Sequence, residues 1–101
     1  MSENEDVRYI KLDDVIKLQL YGNASTGFTW IHVSEDDFEL VSVRPAKEYS
    51  PMELVGAGID MNYTFRPKRE GELRLRLEYR RSWEKGAPPT EVHEEVVRVG
   101  K

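Results

Sequence analysis

The 101-residue chain contains no cysteine, which removes disulfide scaffolds, thiolate zinc sites and cysteine nucleophiles together. Histidine is nearly as scarce, and His32 and His93 each fall inside an alternating, strand-like segment. Neither occupies a nucleophile elbow, no Gly-x-Ser-x-Gly occurs, and two histidines without cysteine make a poor zinc set. Asp13-Asp14 and Glu35-Asp36-Asp37 lack the Asp-x-Asp-x-Asp-Gly spacing of a calcium loop and read as solvated turns. No metal and no cofactor is expected, and the chain does not read as an enzyme. Long apolar runs are also missing: nothing approaches the roughly 20 residues of a membrane span. Met1–Asp6 is acidic and polar, unlike a signal peptide, and is expected to be flexible. No membrane partner is expected, and the compartment stays open between cytoplasm and export with a signal already removed.

A strong charge excess is absent as well. Nineteen acidic residues stand against 15 basic ones, a net charge of −4, which argues against a nucleic-acid partner. The balance is uneven, with 12 acidic and 5 basic residues in 1–60 against 7 and 10 in 61–101. Arg74, Arg76 and Arg80 share a strand face, but Glu72 and Glu78 interleave with them, as in cross-strand ion pairing.

What the chain does have is a period of two. Glu72 to Arg80 alternates without a fault, with Leu73, Leu75, Leu77 and Tyr79 on one face, the mark of a half-buried strand. Val15–Leu20 behaves likewise, with Ile16, Leu18 and Leu20 inward. Phe28–Val33 is apolar on both faces, as a central strand would be. Further strands are expected at Val7–Ile10, Phe38–Val43, Met61–Arg66 and Glu91–Val99. In the last, Val92 and Val96 do not share a face with Val97 and Val99, which predicts a bulge near Glu94-Glu95. No window supports an amphipathic helix of three turns. About seven strands in one domain of this length describe an all-β, immunoglobulin-like antiparallel β-sandwich, and burial of about two-thirds of the unfolded surface makes its core feasible without staples.

Three connections carry unusual residues: Gly22–Gly27, the long Pro45–Asp60 segment, expected to be partly mobile, and Arg81–Pro89. Gly56-Ala57-Gly58 lacks the following lysine of a phosphate loop. Trp83, beside Arg81 and Lys85, has the composition of a binding anchor, though folding back onto the sandwich accounts for it equally well.

Taken together and in order, these loops resemble the chagasin family of inhibitors of papain-like cysteine peptidases. Asn23-Ala24-Ser25-Thr26-Gly27-Phe28 is similar to the family's Asn-Pro-Thr-Thr-Gly-aromatic signature, with Trp30 two residues on. Val55-Gly56-Ala57-Gly58-Ile59 answers its glycine-rich second loop, and Arg81-Ser82-Trp83 its Arg-Pro-Trp. Ala24 and Ser82 stand where the family has proline, which leaves more loop entropy to lose on binding. Ile59 replaces a glycine. The resemblance implies a single inhibitor domain over 1–101, monomeric when free, that fills the cleft of a papain-like peptidase reversibly and without a covalent step. It implies Thr26 over the catalytic sulfur, residues 55–59 along the unprimed subsites, and Trp83, supported by Arg81, on the primed side. The competing expectation is a non-inhibitory immunoglobulin-like module that binds another protein or a glycan. The inhibitor reading requires residues 23–28, 55–59 and 81–84 at one end of the molecule.

Overall fold

A computed structural model describes residues 7–23, 26–56, 58–84 and 86–101; the expected flexibility of Met1–Asp6 lies outside them. Seven strands are present among these residues: β1 (Val7–Lys11), β2 (Ile16–Gly22), β3 (Phe28–His32), β4 (Phe38–Pro45), β5 (Ile59–Pro67), β6 (Gly71–Arg81) and β7 (Glu91–Gly100). They form two sheets, ordered β1-β7-β6-β3 and β2-β5-β4. This is the immunoglobulin-like β-sandwich that the alternation predicts, with one pair running parallel: β1 lies alongside β7, from Val7↔Val96 to Lys11↔Gly100.

Alternation chooses the faces. Ile16, Leu18 and Leu20 of β2, Phe38 of β4, and Tyr63 and Phe65 of β5 come from one sheet. Leu73, Leu75, Leu77, Val97 and Val99 come from the other, and the two sets form one buried cluster. Each fully buried side chain of this size stabilises the fold by about 1.5–3 kcal/mol relative to its exposed state. Ile10, Trp30 and Met61 pack at its margin.

Two expectations are corrected. The bulge does not lie at Glu94-Glu95, because β6 and β7 pair without a shift from Gly71↔Val99 to Tyr79↔Glu91. Instead β7 keeps its parity. Val92 and Val96 stay on the outer face, Val96 between Val7 and Arg74, while His93 and Glu95 take positions on the core-facing side. Those polar groups satisfy one another, with Glu95 3.1 Å from Arg8 and 2.7 Å from the His93 ring. The shift falls between Leu40 and Ser42, on the edge strand β4, where Val41 is the extra residue against β5. Nor is β3 central: it is the outermost strand beside β6. Its two-sided apolar look came from Ile31 and Val33, and Val33 lies beyond the strand's end.

Ion pairs within β6 and between β6 and β7 cover their outer face. Arg76 lies 3.2 Å from Glu78 and 3.3 Å from Glu94, Arg80 3.1 Å from Glu78, and Arg98 3.1 Å from Glu72. The exposed Arg98–Glu72 pair stabilises by about 0–1 kcal/mol.

Candidate functional site

Register alone brings the three unusual connections together. Gly22 pairs with Ile59, so the start of the first loop stands beside the end of the second. Phe28 pairs with Arg81, so the end of the first loop stands beside the start of the third. All three therefore occupy one end of the sandwich, as they do wherever loops join alternating strand pairs. Ile59, Phe28 and Arg81 prove to be strand termini, the first and last rungs under the loops. Ala24, Ser25 and Ala57 lie outside the described residues.

The first loop braces itself. The Thr26 hydroxyl donates to the Asn23 carbonyl at 2.7 Å and accepts from the Phe28 N–H at 3.4 Å. The Thr26 N–H also donates to the Asn23 carbonyl, at 3.2 Å. Gly27 follows with φ of 85°, a left-handed conformation that an L side chain disfavours. A Cβ there would also run into the six-membered ring of Trp83, so the indole lies directly on the glycine backbone. Trp83 is nevertheless 66% exposed, and the surface it leaves uncovered is aromatic and rigid. Ser82 beside it is exposed too.

Arg81 links the first and third loops. Its Nε donates to the Thr26 carbonyl at 3.1 Å, and its guanidinium stacks 4.4 Å from the centre of the Phe28 ring. Another of its nitrogens pairs with Glu84 at 3.3 Å. Below this stack the Phe28 and Trp30 rings lie 5.4 Å and 5.0 Å from that of Tyr79. The Trp30 indole N–H donates to the Tyr21 carbonyl at 3.0 Å, closing the end of β2.

The second loop contains a short helix, α1 (Pro51–Gly56), that the strand reading passed over; Val55 and Gly56 belong to it. Its signal is local. Ser50 and Glu53 form a capping box, with the Ser50 N–H donating to the Glu53 carboxylate at 2.8 Å and the Glu53 N–H to the Ser50 hydroxyl at 3.3 Å. The Ser50 N–H, and then the Ser50 side chain, hydrogen-bonded to the Glu53 carboxylate, hold that carboxyl below its ordinary pKa. Pro51 occupies the first helical position, where its missing N–H does no harm. At the loop's far end Gly58 packs on the Tyr21 ring so closely that a Cβ would overlap it, and the Asp60 N–H donates to the Tyr49 hydroxyl at 3.0 Å.

The histidines lie away from this end. His32 faces inward, its ring 4.9 Å from that of Phe65 and its Nε2 2.8 Å from the Ser34 hydroxyl. Burial lowers its pKa from 6.5; Lys68 acts in the same direction, while Glu35 and a hydrogen bond to the Ser34 backbone oppose it. The unfolded chain therefore takes up a proton that the folded chain resists. His32 supports the fold fully above its unfolded value of 6.5, and that support is lost as pH falls through the lowered value. The urea midpoint is expected to fall between about pH 7 and about pH 5, and His32→Gln to flatten that part of the profile.

The acidic turns are engaged within the protein: Asp14 accepts from the Lys11 N–H at 2.9 Å, and Asp37 pairs with Arg69 of the β5–β6 turn at 2.7 Å.

Comparison with known proteins gives a consistent result. The model of the chagasin family of peptidase inhibitors (I42) matches residues 9–97. Amoebiasin-2 of Entamoeba histolytica is 35% identical over 92 residues, which cover 88% of this chain and 75% of that protein. Among solved structures, the cysteine protease inhibitor EhICP2 from Entamoeba histolytica superposes with a TM-score of 0.73 at 30% identity, covering 94% of this chain and 86% of that one. PbICP-C, solved in complex with falcipain-2, shares the fold with a TM-score of 0.52 at 14% identity, over 98% of this chain and 88% of that one.

Proposed function

This chain belongs to the chagasin family of peptidase inhibitors, and from that premise we propose that it inhibits papain-like cysteine peptidases reversibly, by filling their active-site cleft with three adjacent loops. It is an inhibitor and not an enzyme. The observation that carries the mechanism is the gathering of the Gly22–Phe28, Pro45–Ile59 and Arg81–Glu91 connections at one end of a rigid sandwich.

Such an end is a wedge, and papain-like enzymes hold their thiolate and imidazole in a groove that a wedge fits. Thr26, exposed and tied to its own loop, would cover the sulfur. Gly27 has no side chain to hold its backbone off the enzyme. The segment around Gly56–Gly58 would lie along the unprimed subsites and exchange main-chain hydrogen bonds with them. Trp83 would meet the primed side as the aromatic anchor. The block is steric, and no bond in the inhibitor is placed for attack. An interface of about 1,600 Å² is ample for tight binding when the loops are already ordered. The 30% identical EhICP2, a cysteine protease inhibitor, supports the choice of peptidase class.

Titration of papain with the purified protein tests the reading, and complete inhibition at sub-micromolar concentration is expected. Thr26→Asp places a carboxylate against the thiolate and is expected to weaken inhibition by at least about tenfold, equivalent to about 1.4 kcal/mol, while loss of the hydroxyl's bond to Asn23 lowers the melting temperature by no more than a few degrees. A folded protein that leaves papain untouched at micromolar concentration would return the molecule to the class of non-inhibitory binding modules.

A further inference from the structure

The first loop is held at both ends by one strand. Its end is fastened by Arg81, through the Thr26 carbonyl and the Phe28 ring. Its start rests on Tyr79: the Asn23 N–H donates to the Tyr79 hydroxyl at 3.0 Å, across 56 residues of sequence. Gly22 lies against the same ring, at ordinary van der Waals distance from the position its Cβ would take. Tyr79 and Arg81 are two apart on β6, so both project from the core-facing side that carries Leu73, Leu75 and Leu77. The row begins as leucine in the core and becomes tyrosine, then arginine, where it meets the loop.

We infer that Tyr79 is a positioning residue for inhibition, its hydroxyl fixing the start of the first loop in the shape that binds the peptidase. This deepens the inhibitory reading above and rests on it. The ring and the hydroxyl have separable duties. The ring stacks with Phe28 and Trp30 and belongs to the packing. The hydroxyl sits at the far tip of the ring and reaches the loop backbone. Without that bond the Asn23 backbone samples more conformations, and the added freedom is lost again when the peptidase closes on the loop. Tyr79 thus governs affinity without touching the partner.

Tyr79→Phe removes one oxygen and retains the ring. The inhibition constant for papain is expected to rise about fivefold, the effect of one neutral hydrogen bond, while the Asn23 amide exchanges with solvent faster and the melting temperature moves by no more than a few degrees. Leu75→Val, a core truncation in the same row, is the control, expected to lower the melting temperature and leave both the inhibition constant and Asn23 exchange unchanged. Unaltered Asn23 exchange in Tyr79→Phe would overturn the tether. Faster exchange with an unaltered inhibition constant would overturn the positioning role. If the parent protein itself does not inhibit papain, the inhibitory reading fails and the positioning role falls with it; Asn23 exchange then still reports whether the tether exists.

Discussion

Trp83→Ala is expected to weaken inhibition of papain by about a hundredfold, roughly 2.7 kcal/mol and within the range of aromatic hot spots, while the melting temperature stays within a few degrees of the parent. The indole is 66% exposed and absent from the buried cluster, so the fold loses little with it. Its under-surface rests on the backbone of Gly27, so in an interface it would already be oriented, with little rotamer freedom left to lose. The same contact predicts a coupled effect at the glycine. Gly27→Ala forces a Cβ into the indole and places alanine at φ of 85°, a conformation costing about 1–2 kcal/mol by itself. Inhibition by Gly27→Ala is expected to fall by about tenfold or more, and by less when Trp83 is already alanine, because the overlap is then gone. A Trp83→Ala protein that inhibits as well as the parent would remove the third loop from the contact surface.

Phe65→Ala produces the largest expected change in stability. Phe65 is fully buried, stacked beside Tyr63 with ring centres 6.5 Å apart and packed against the His32 ring. Truncation leaves a cavity between two sheets that cannot close without moving both, at a cost of about 3–5 kcal/mol. For a domain of this size that lowers the thermal midpoint by roughly 15–30 °C. Calorimetry checks it, and a fall below about 5 °C would mean that the sheets do not share this core.

Strands were the legible part of the sequence. Each carries its evidence locally, in side chains that alternate between water and core, and the Leu73–Tyr79 row needs no partner to be read. What was missed depends on partners or on shortness. The six-residue α1 is too short for any helical period, although Ser50-Pro51-Met52-Glu53 spells its start. In β7 the change of parity that suggests a bulge reflects valines left on the outer face. An equal change separates Phe38 and Leu40 from Val43, and there the backbone does shift. At the candidate site, the resemblance singles out three loops, and register supplies their neighbourhood through Gly22↔Ile59 and Phe28↔Arg81. Tyr79 read only as one more inward residue. Its bond to Asn23 joins positions 56 apart, which no local pattern displays.

The row from Leu73 to Arg81 has a practical consequence for anyone preparing this protein. A strand that paired one residue out of step would turn the leucines to solvent and withdraw the Arg81 and Tyr79 side chains from the first loop in the same movement. Under the proposed function, such misfolded molecules would not inhibit. Titrating papain to its end point would then count native molecules in a sample, so that inhibitory titre per milligram serves as a folding assay as well as an activity assay.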